Sequence, residues 1–195
     1  MIIDSHGHLG DILYPQGGEL INRLGVVQAK MWDPQTTNEK QLNRSFGLGK
    51  LAYKATGYWA TKAQRARNFT ATLENFSHSL DTSGVEYAVC LPIAPNLTFE
   101  DLARARELEP RIIPFTSVDF THQHDVGIKL RQDVEAGAMG LKLHPVIQAI
   151  SLQDERSLQA LQAFAPLKKP VLIHGGMSRY YLGDEKDKNV PAYGN

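Results

Sequence analysis

Met1-Ile2-Ile3-Asp4-Ser5-His6-Gly7-His8-Leu9-Gly10 opens the chain on an apolar pair and closes on a His-x-His. Read as a strand, it alternates its side chains between two faces, so His6 and His8 point to one side. Two imidazoles about two residues' rise apart on one face can chelate a divalent cation with little rearrangement, and neutral imidazole is the commonest protein metal ligand. A lone His-x-His is more often a pair of polar residues where a strand frays into a loop. The remaining strands of the chain decide between the two.

From Asn68 the pattern is regular. Phe69, Leu73, Phe76 and Leu80 recur at helical spacing and stop at Asp81-Thr82-Ser83-Gly84. Val85 to Ile93 reads as a strand buried on both faces, with Cys90 a small core residue. A helix from Thr98 to Leu108 leads to a third strand, Arg111 to Val118. A helix from Asp125 to Ala136 passes through Gly137 into a fourth strand, Met139 to His144. A last helix, Asp154 to Leu167, precedes a fifth strand, Pro170 to His174. Strands alternating with helical patterns of roughly 10 to 15 residues predict βαβ units and a parallel sheet.

In such folds chemistry sits at the carboxyl ends of the strands. The first strand ends in His6 and His8. The fourth ends in Lys142 and His144, which share a face, and the fifth ends in His174 before Gly175 and Gly176. Three strand ends thus carry groups that bind metal or move protons, which raises a metal site above the structural alternative for each histidine taken alone. His122-Gln123-His124 repeats the His-x-His beside Thr121 and Asp125, but those neighbours read as helix caps and the pair is set aside as ligands. His78, mid-helix, reads as surface or packing.

Composition narrows the class. The chain has 195 residues, 42% hydrophobic and 22% charged, enough for one substantial core and better suited to one domain than two. Lys plus Arg and Asp plus Glu are 21 each, so no global charge points to nucleic acid or an anionic membrane. A single cysteine suits a reducing compartment. With no signal-like leader and no apolar run near the ~20 residues of a membrane span, a cytoplasmic protein is expected. The sequons at Asn68, Asn75 and Asn96 are then chance matches.

Residues 11–67 read as a long irregular section, a variable insertion after the first strand. From Lys40 to Arg67 its charges are all basic, with Phe46, Tyr53, Tyr58 and Trp59 interleaved. A solvated helical face, a cationic lid over an anionic substrate and a nucleic-acid patch all fit such a run, in that order of preference. Gly47-Leu48-Gly49-Lys50 is not a phosphate loop: Arg44 stands where the first glycine belongs, and Leu51 where a magnesium-binding hydroxyl should be.

The opening I-I-D-S-H-G-H-L, G-L-K-L-H-P at 140 to 145, P-V-L-I-H-G-G at 170 to 176 and D-T-S-G-V-E-Y-A-V at 81 to 89 together resemble the amidohydrolase superfamily. The branch resembled is the amidohydrolase-related group that includes the aminocarboxymuconate-semialdehyde decarboxylase-like enzymes. The resemblance implies a (β/α)8 TIM-type barrel, with about the first five βα units in this chain and the domain running over residues 1–195. It implies His6, His8 and His174 as ligands of one divalent metal, zinc by expectation, beside an aspartate of an eighth strand. Binuclear relatives carbamylate a fourth-strand lysine, but in this branch Lys142 is expected to stay an ordinary lysine. Lys142 and His144 are therefore assigned to catalysis, through substrate contact or proton handling. A barrel of this kind needs ~250 residues, so a fragment or truncation is expected, lacking the sixth-strand histidine and eighth-strand aspartate.

The function implied is a metal-dependent hydrolase or decarboxylase acting on a small carboxylate or carbonyl compound, an anionic small molecule, without nucleic acid or membrane and with a homodimer admissible. Barrel-type deoxyribonucleases also open on a His-x-His, but they carry a glutamate ligand where this chain has Leu141-Lys142-Leu143. Phosphoesterases of the polymerase-and-histidinol-phosphatase type need further ligands at spacings absent here. A non-catalytic binding module remains the alternative of another class, and metal content separates it from the enzyme.

Overall fold

Strand pairing follows chain order. In the computed structural model, which describes residues 1–27, 47–121, 125–175 and 181 (backbone alone at 47–54, 56 and 60), β1 (Ile3–Gly7) pairs in parallel with β2 (Tyr87–Cys90), and β2 with β3 (Ile112–Pro114). β4 (Thr116–Ser117) pairs in parallel with β5 (Leu141–Leu143), and β5 with β6 (Val171–Ile173). The result is a mixed α/β fold with two parallel three-stranded sheets, ordered 1-2-3 and 4-5-6. A doubly wound sheet would reverse its order. The unreversed order is compatible with part of a barrel.

β3 and β4 are the two halves of the single third strand expected from the sequence. Phe115 donates its N–H to Cys90 O at 3.0 Å, and the next residue, Thr116, donates to Gly140 O at 2.8 Å. The chain changes partner from β2 to β5 between adjacent residues. Pro114, without an N–H, closes β3, and its carbonyl accepts from Met139 N at 2.8 Å. The Phe115 ring fills this bend: a Cβ on Gly140 would lie 2.3 Å from Phe115 Cε2 and Cζ. Gly140 is a glycine because the ring needs that space.

The helices stand near their expected places, each with a physical stop. α2 (Leu73–Ser83) is capped by Thr72, whose hydroxyl accepts from Asn75 N, and ends on Gly84 at φ 69°, a conformation that costs glycine little. α3 (Phe99–Leu108) starts from a capping box between Thr98 and Asp101. Asp125 caps α4 (Val126–Glu135), as expected, whereas Thr121 turns back onto Asp119. Asp154 caps α5 (Glu155–Phe164), and a 3-10 turn, Ala165–Leu167, takes the rest of the range read as helix. His122 and His124 lie outside the described residues.

Two readings are corrected. Of residues 11–67, expected to be irregular, 47–67 lie in one 22-residue helix, α1 (Gly47–Asn68), and Gly17–Asn22 is a 3-10 helix. α1 is rich in Ala, Lys and Arg, strong helix formers that need no apolar stripe. Ala63 is buried, whereas Tyr58 and Trp59 are exposed, so periodicity had little to report. The phosphate-loop-like run is its first turn. Second, the strand read as buried on both faces is buried at Ala88 and Cys90 but 41% exposed at Tyr87. Ile3 on β1 and Val171 and Ile173 on β6 are exposed too. Those outer strands each have one partner among the described residues.

Two apolar clusters hold the sheets. One packs Leu9, Ile12, Leu13 and Ile21 of the opening segment against Cys90 and Ile112 of the first sheet. Tyr181 joins it, its hydroxyl donating to Leu13 O at 3.2 Å. The other packs Leu141 and Leu143 against Leu130, Ala160 and Phe164 of α4 and α5. Behind the second sheet, buried Asp133 accepts from Thr116 Oγ1 at 2.5 Å and pairs with Lys129, which also reaches Glu100 at 2.6 Å. This ties α4 to β4 and α3.

Candidate active site

β1 carries an extra residue relative to β2 between Asp4 and Gly7. The simple alternation that puts His6 and His8 on one face therefore runs through a bulge, which re-aims side chains. The two rings still meet edge to face, centroids 5.2 Å apart. His8 Nδ1 lies 3.0 Å from Leu91 O. A carbonyl only accepts, so Nδ1 carries the proton and Nε2 keeps its lone pair.

On the second sheet, register sets Lys142 between Ser117 and Leu172, and Leu143 beside Ile173. His174 N donates to Leu143 O at 3.0 Å, continuing the ladder. His144, two residues beyond Lys142, stacks on His174 with centroids 3.9 Å apart and planes 11° from parallel. Ile147 N donates to His144 Nδ1 at 3.2 Å, so the neutral ring bears its proton on Nε2. Gln148 fixes the turn by accepting from His144 N at 2.7 Å and donating to Val118 O at 2.7 Å. His8 and His144 are thus held in opposite tautomers, one offering a lone pair at Nε2 and the other an N–H.

The electrostatics join the two sheets. Burial, then Lys142, lower the pKa of His6, with Asp4 opposing. Burial pushes His8 down to about 4, against the bond to Leu91, with His6, Lys142 and His174 adding to the fall. Burial, then His174, Lys142 and His8, lower His144 to about 2. His174 is lowered by burial, Lys142 and His6. Burial alone brings Lys142 down to about 8. Its side chain is fully buried, and its Nζ has no hydrogen-bond partner among the described residues. The five residues picked from the strand ends, His6, His8, Lys142, His144 and His174, therefore act on one another at one end of the parallel strands.

Neutral imidazoles with a second-nitrogen bond to a carbonyl, as at His8, are the donors a divalent ion of the zinc type takes. In chemistry the set fits such an ion. Among the described residues no three His, Cys, Asp or Glu side chains are already drawn together closely enough to enclose one.

Two cavities meet at His8. One, of about 380 Å³, lies against Val26, Asn75, Phe76, His78 and Ser79. The other, of about 210 Å³, brings in Gly10, Ile12 and Arg67. The first is of ligand-binding size. Sequence reading did not include these walls. Arg67 had a signal in the basic run, and exposed His78 lay on a recognised helix, but nothing in the sequence says that either approaches His8. The Leu91 carbonyl and the Ile147 N–H, being backbone groups, leave no side-chain signature. Of the basic segment, Lys62 is exposed on α1, while Lys40 and Arg44 lie outside the described residues.

No family model matches the chain, and no curated protein matches it. Among solved structures it is similar to a probable 2-pyrone-4,6-dicarboxylic acid hydrolase from Acinetobacter baumannii, crystallised with citric acid, at 14% identity and TM-score 0.48, over 90% of this chain and 49% of that one. It is also similar to an IDCase from Metarhizium anisopliae in apo form, at 15% identity and TM-score 0.44, over 96% and 54%. The chain spans about half the length of each. At such identities and scores neither likeness bears on what this chain binds or converts. No helix among the described residues is long and apolar enough to cross a membrane.

Proposed function

We propose that the chain belongs to a metal-dependent hydrolase or decarboxylase of the amidohydrolase-related kind, acting on a small carboxylate or carbonyl compound. The observation that carries the reading is that the His6–His8 pair and the stacked His144–His174 pair, with Lys142, stand at one end of the strands near enough to act on one another's charge. His6, His8 and His174 would hold one divalent ion, zinc by expectation, which when bound supplies Lewis acidity and lowers the pKa of water. His8 is pre-oriented for this by Leu91 O, which leaves Nε2 as the donor. His144, with its proton on Nε2, donates a hydrogen bond to the substrate. Lys142 contacts the substrate from the floor of the site. The burial of Lys142 and His144 strengthens every charge interaction made there.

The test is elemental analysis of the purified chain beside His6→Ala and His174→Ala. One equivalent of zinc or another divalent ion, lost in both variants, is the expected result. A folded, monodisperse chain that takes up no ion after dialysis against zinc would reject the metal-dependent reading and favour a binding module.

A further inference from the structure

We infer that Lys142 anchors a carboxylate: its Nζ is the point at which the charge of a small organic acid is met, with or without a metal. This rests on the reading of the strand ends as a substrate site and goes beyond it by naming the group that binds the substrate's charge and the class of compound it selects.

The first ground is a contrast between two lysines of the same fold. Lys129, partly buried, is clamped between Asp133 and Glu100. Lys142 is fully buried, and among the described residues its Nζ has no hydrogen-bond partner. An ammonium has three donors, and leaving them unmade away from water is costly. Lys142 lies beside Ser117 and Leu172 in the ladder, yet among the described residues no carboxylate faces it as Asp133 faces Lys129. A missing partner of that kind is supplied well by a ligand oxyanion, which makes short, charge-assisted bonds.

The second ground is the sign of the surroundings. His144 follows Lys142 on the same face and stacks on His174. His6 and His8 close the site from the first sheet. None of these side chains is an acid, so they add nothing to cancel the ammonium. Asp4, the carboxylate that acts on His6, lies on exposed β1 and is engaged by His6 N at 3.0 Å. On the approach, Arg67 brings a second cation to the cavity that His8 shares.

The test uses chain freed of metal with a chelator, so that its result is independent of the metal reading. Malonate, malonamide and inorganic phosphate are titrated calorimetrically into the wild type and into Lys142→Met. Malonate is expected to bind the wild type, malonamide not, and Lys142→Met to lose at least ~10-fold in malonate affinity, the worth of a charge-assisted bond. Equal malonate affinity in the two proteins, or none in the wild type, overturns the inference. Phosphate bound in preference to malonate with the same dependence on Lys142 overturns the carboxylate assignment. A second measurement needs no variant. In wild type labelled with 13C-lysine, one Cε resonance should move with malonate and stay put with malonamide, and a spectrum unmoved by both also overturns it. Zinc binding without malonate binding would sink this inference alone, and the reverse would sink the metal reading alone.

Discussion

His144 and His174 lie ring on ring, 3.9 Å between centroids, from strands that are neighbours in the second sheet. Burial first lowers both; His174 and Lys142 then bring His144 down to about 2, while Lys142 and His6 lower His174. Burial does the same to His8, lowered to about 4. In the unfolded chain these rings take up protons near pH 6.5. The folded pKa values are depressed, so between about 6.5 and 4 the unfolded state binds more protons. Stability is complete above that window and falls as pH drops through it. Urea unfolding of metal-free chain at about pH 7.5 and pH 5.5 should show the loss, and His144→Asn should show a smaller one. Equal losses in the two proteins would assign the effect to other groups.

Lys142 runs the other way. Its folded pKa, about 8 against an ordinary 10.5, means that folding works against its charge at neutral pH. The sign is that of a destabilising group, relieved as pH rises from about 8 to 10.5. Lys142→Met should therefore raise the unfolding free energy near pH 7 by on the order of 1–3 kcal/mol. The gain should shrink above about pH 9. A residue that weakens the fold and strengthens ligand binding is held for its chemistry. A variant less stable than wild type at pH 7 would mean that Nζ has a partner which the fold depends on.

The bend at Phe115 makes a prediction of its own. A methyl at position 140 would sit 2.3 Å from the Phe115 ring, far inside contact distance. Gly140→Ala should cost about 1–3 kcal/mol, the usual range for overpacking a core. Phe115→Leu in the same chain should recover part of that loss, because the clash is with the ring edge. Thermal unfolding of the single and double variants measures both. No recovery in the double variant would move the cost from the ring to the backbone.

Much of this was legible because local signals and the fold agreed. Gly84 and Asp125 were read as helix ends and perform that role, and the helices read as starting at Thr98 and Asp154 are capped by those residues. His6, His8, Lys142, His144 and His174 could be placed near one another because parallel strands put their carboxyl ends together, a rule of topology that needs no contact information. What escaped had no periodic trace. α1 owes its helix to intrinsic propensity along a polar surface, so a search for an apolar stripe passed over it. The division of the third strand depends on which neighbour each backbone group meets across the sheet, and residues 111–118 alone do not encode that. The tautomers of His8 and His144 are set by the carbonyl of Leu91 and the N–H of Ile147, groups every residue possesses.

Those opposite tautomers separate the two histidines experimentally. Leu91 O takes the Nδ1 proton of His8 and leaves Nε2 as a metal donor, whereas Ile147 N occupies Nδ1 of His144 and puts its proton on Nε2. His8→Ala should therefore abolish stoichiometric zinc. The fall in affinity should exceed the ~10–100-fold that loss of an outer hydrogen bond to a ligand costs. His144→Asn should keep zinc near the wild-type level, since a ring that offers an N–H at Nε2 and has Nδ1 engaged contributes no lone pair. Competition with a chromogenic chelator reads both affinities, and turnover of a cognate acid should fall in both variants. Loss of zinc in His144→Asn as well would mean that the stacked pair enters the metal shell together. His144 would then be a ligand rather than the hydrogen-bond donor.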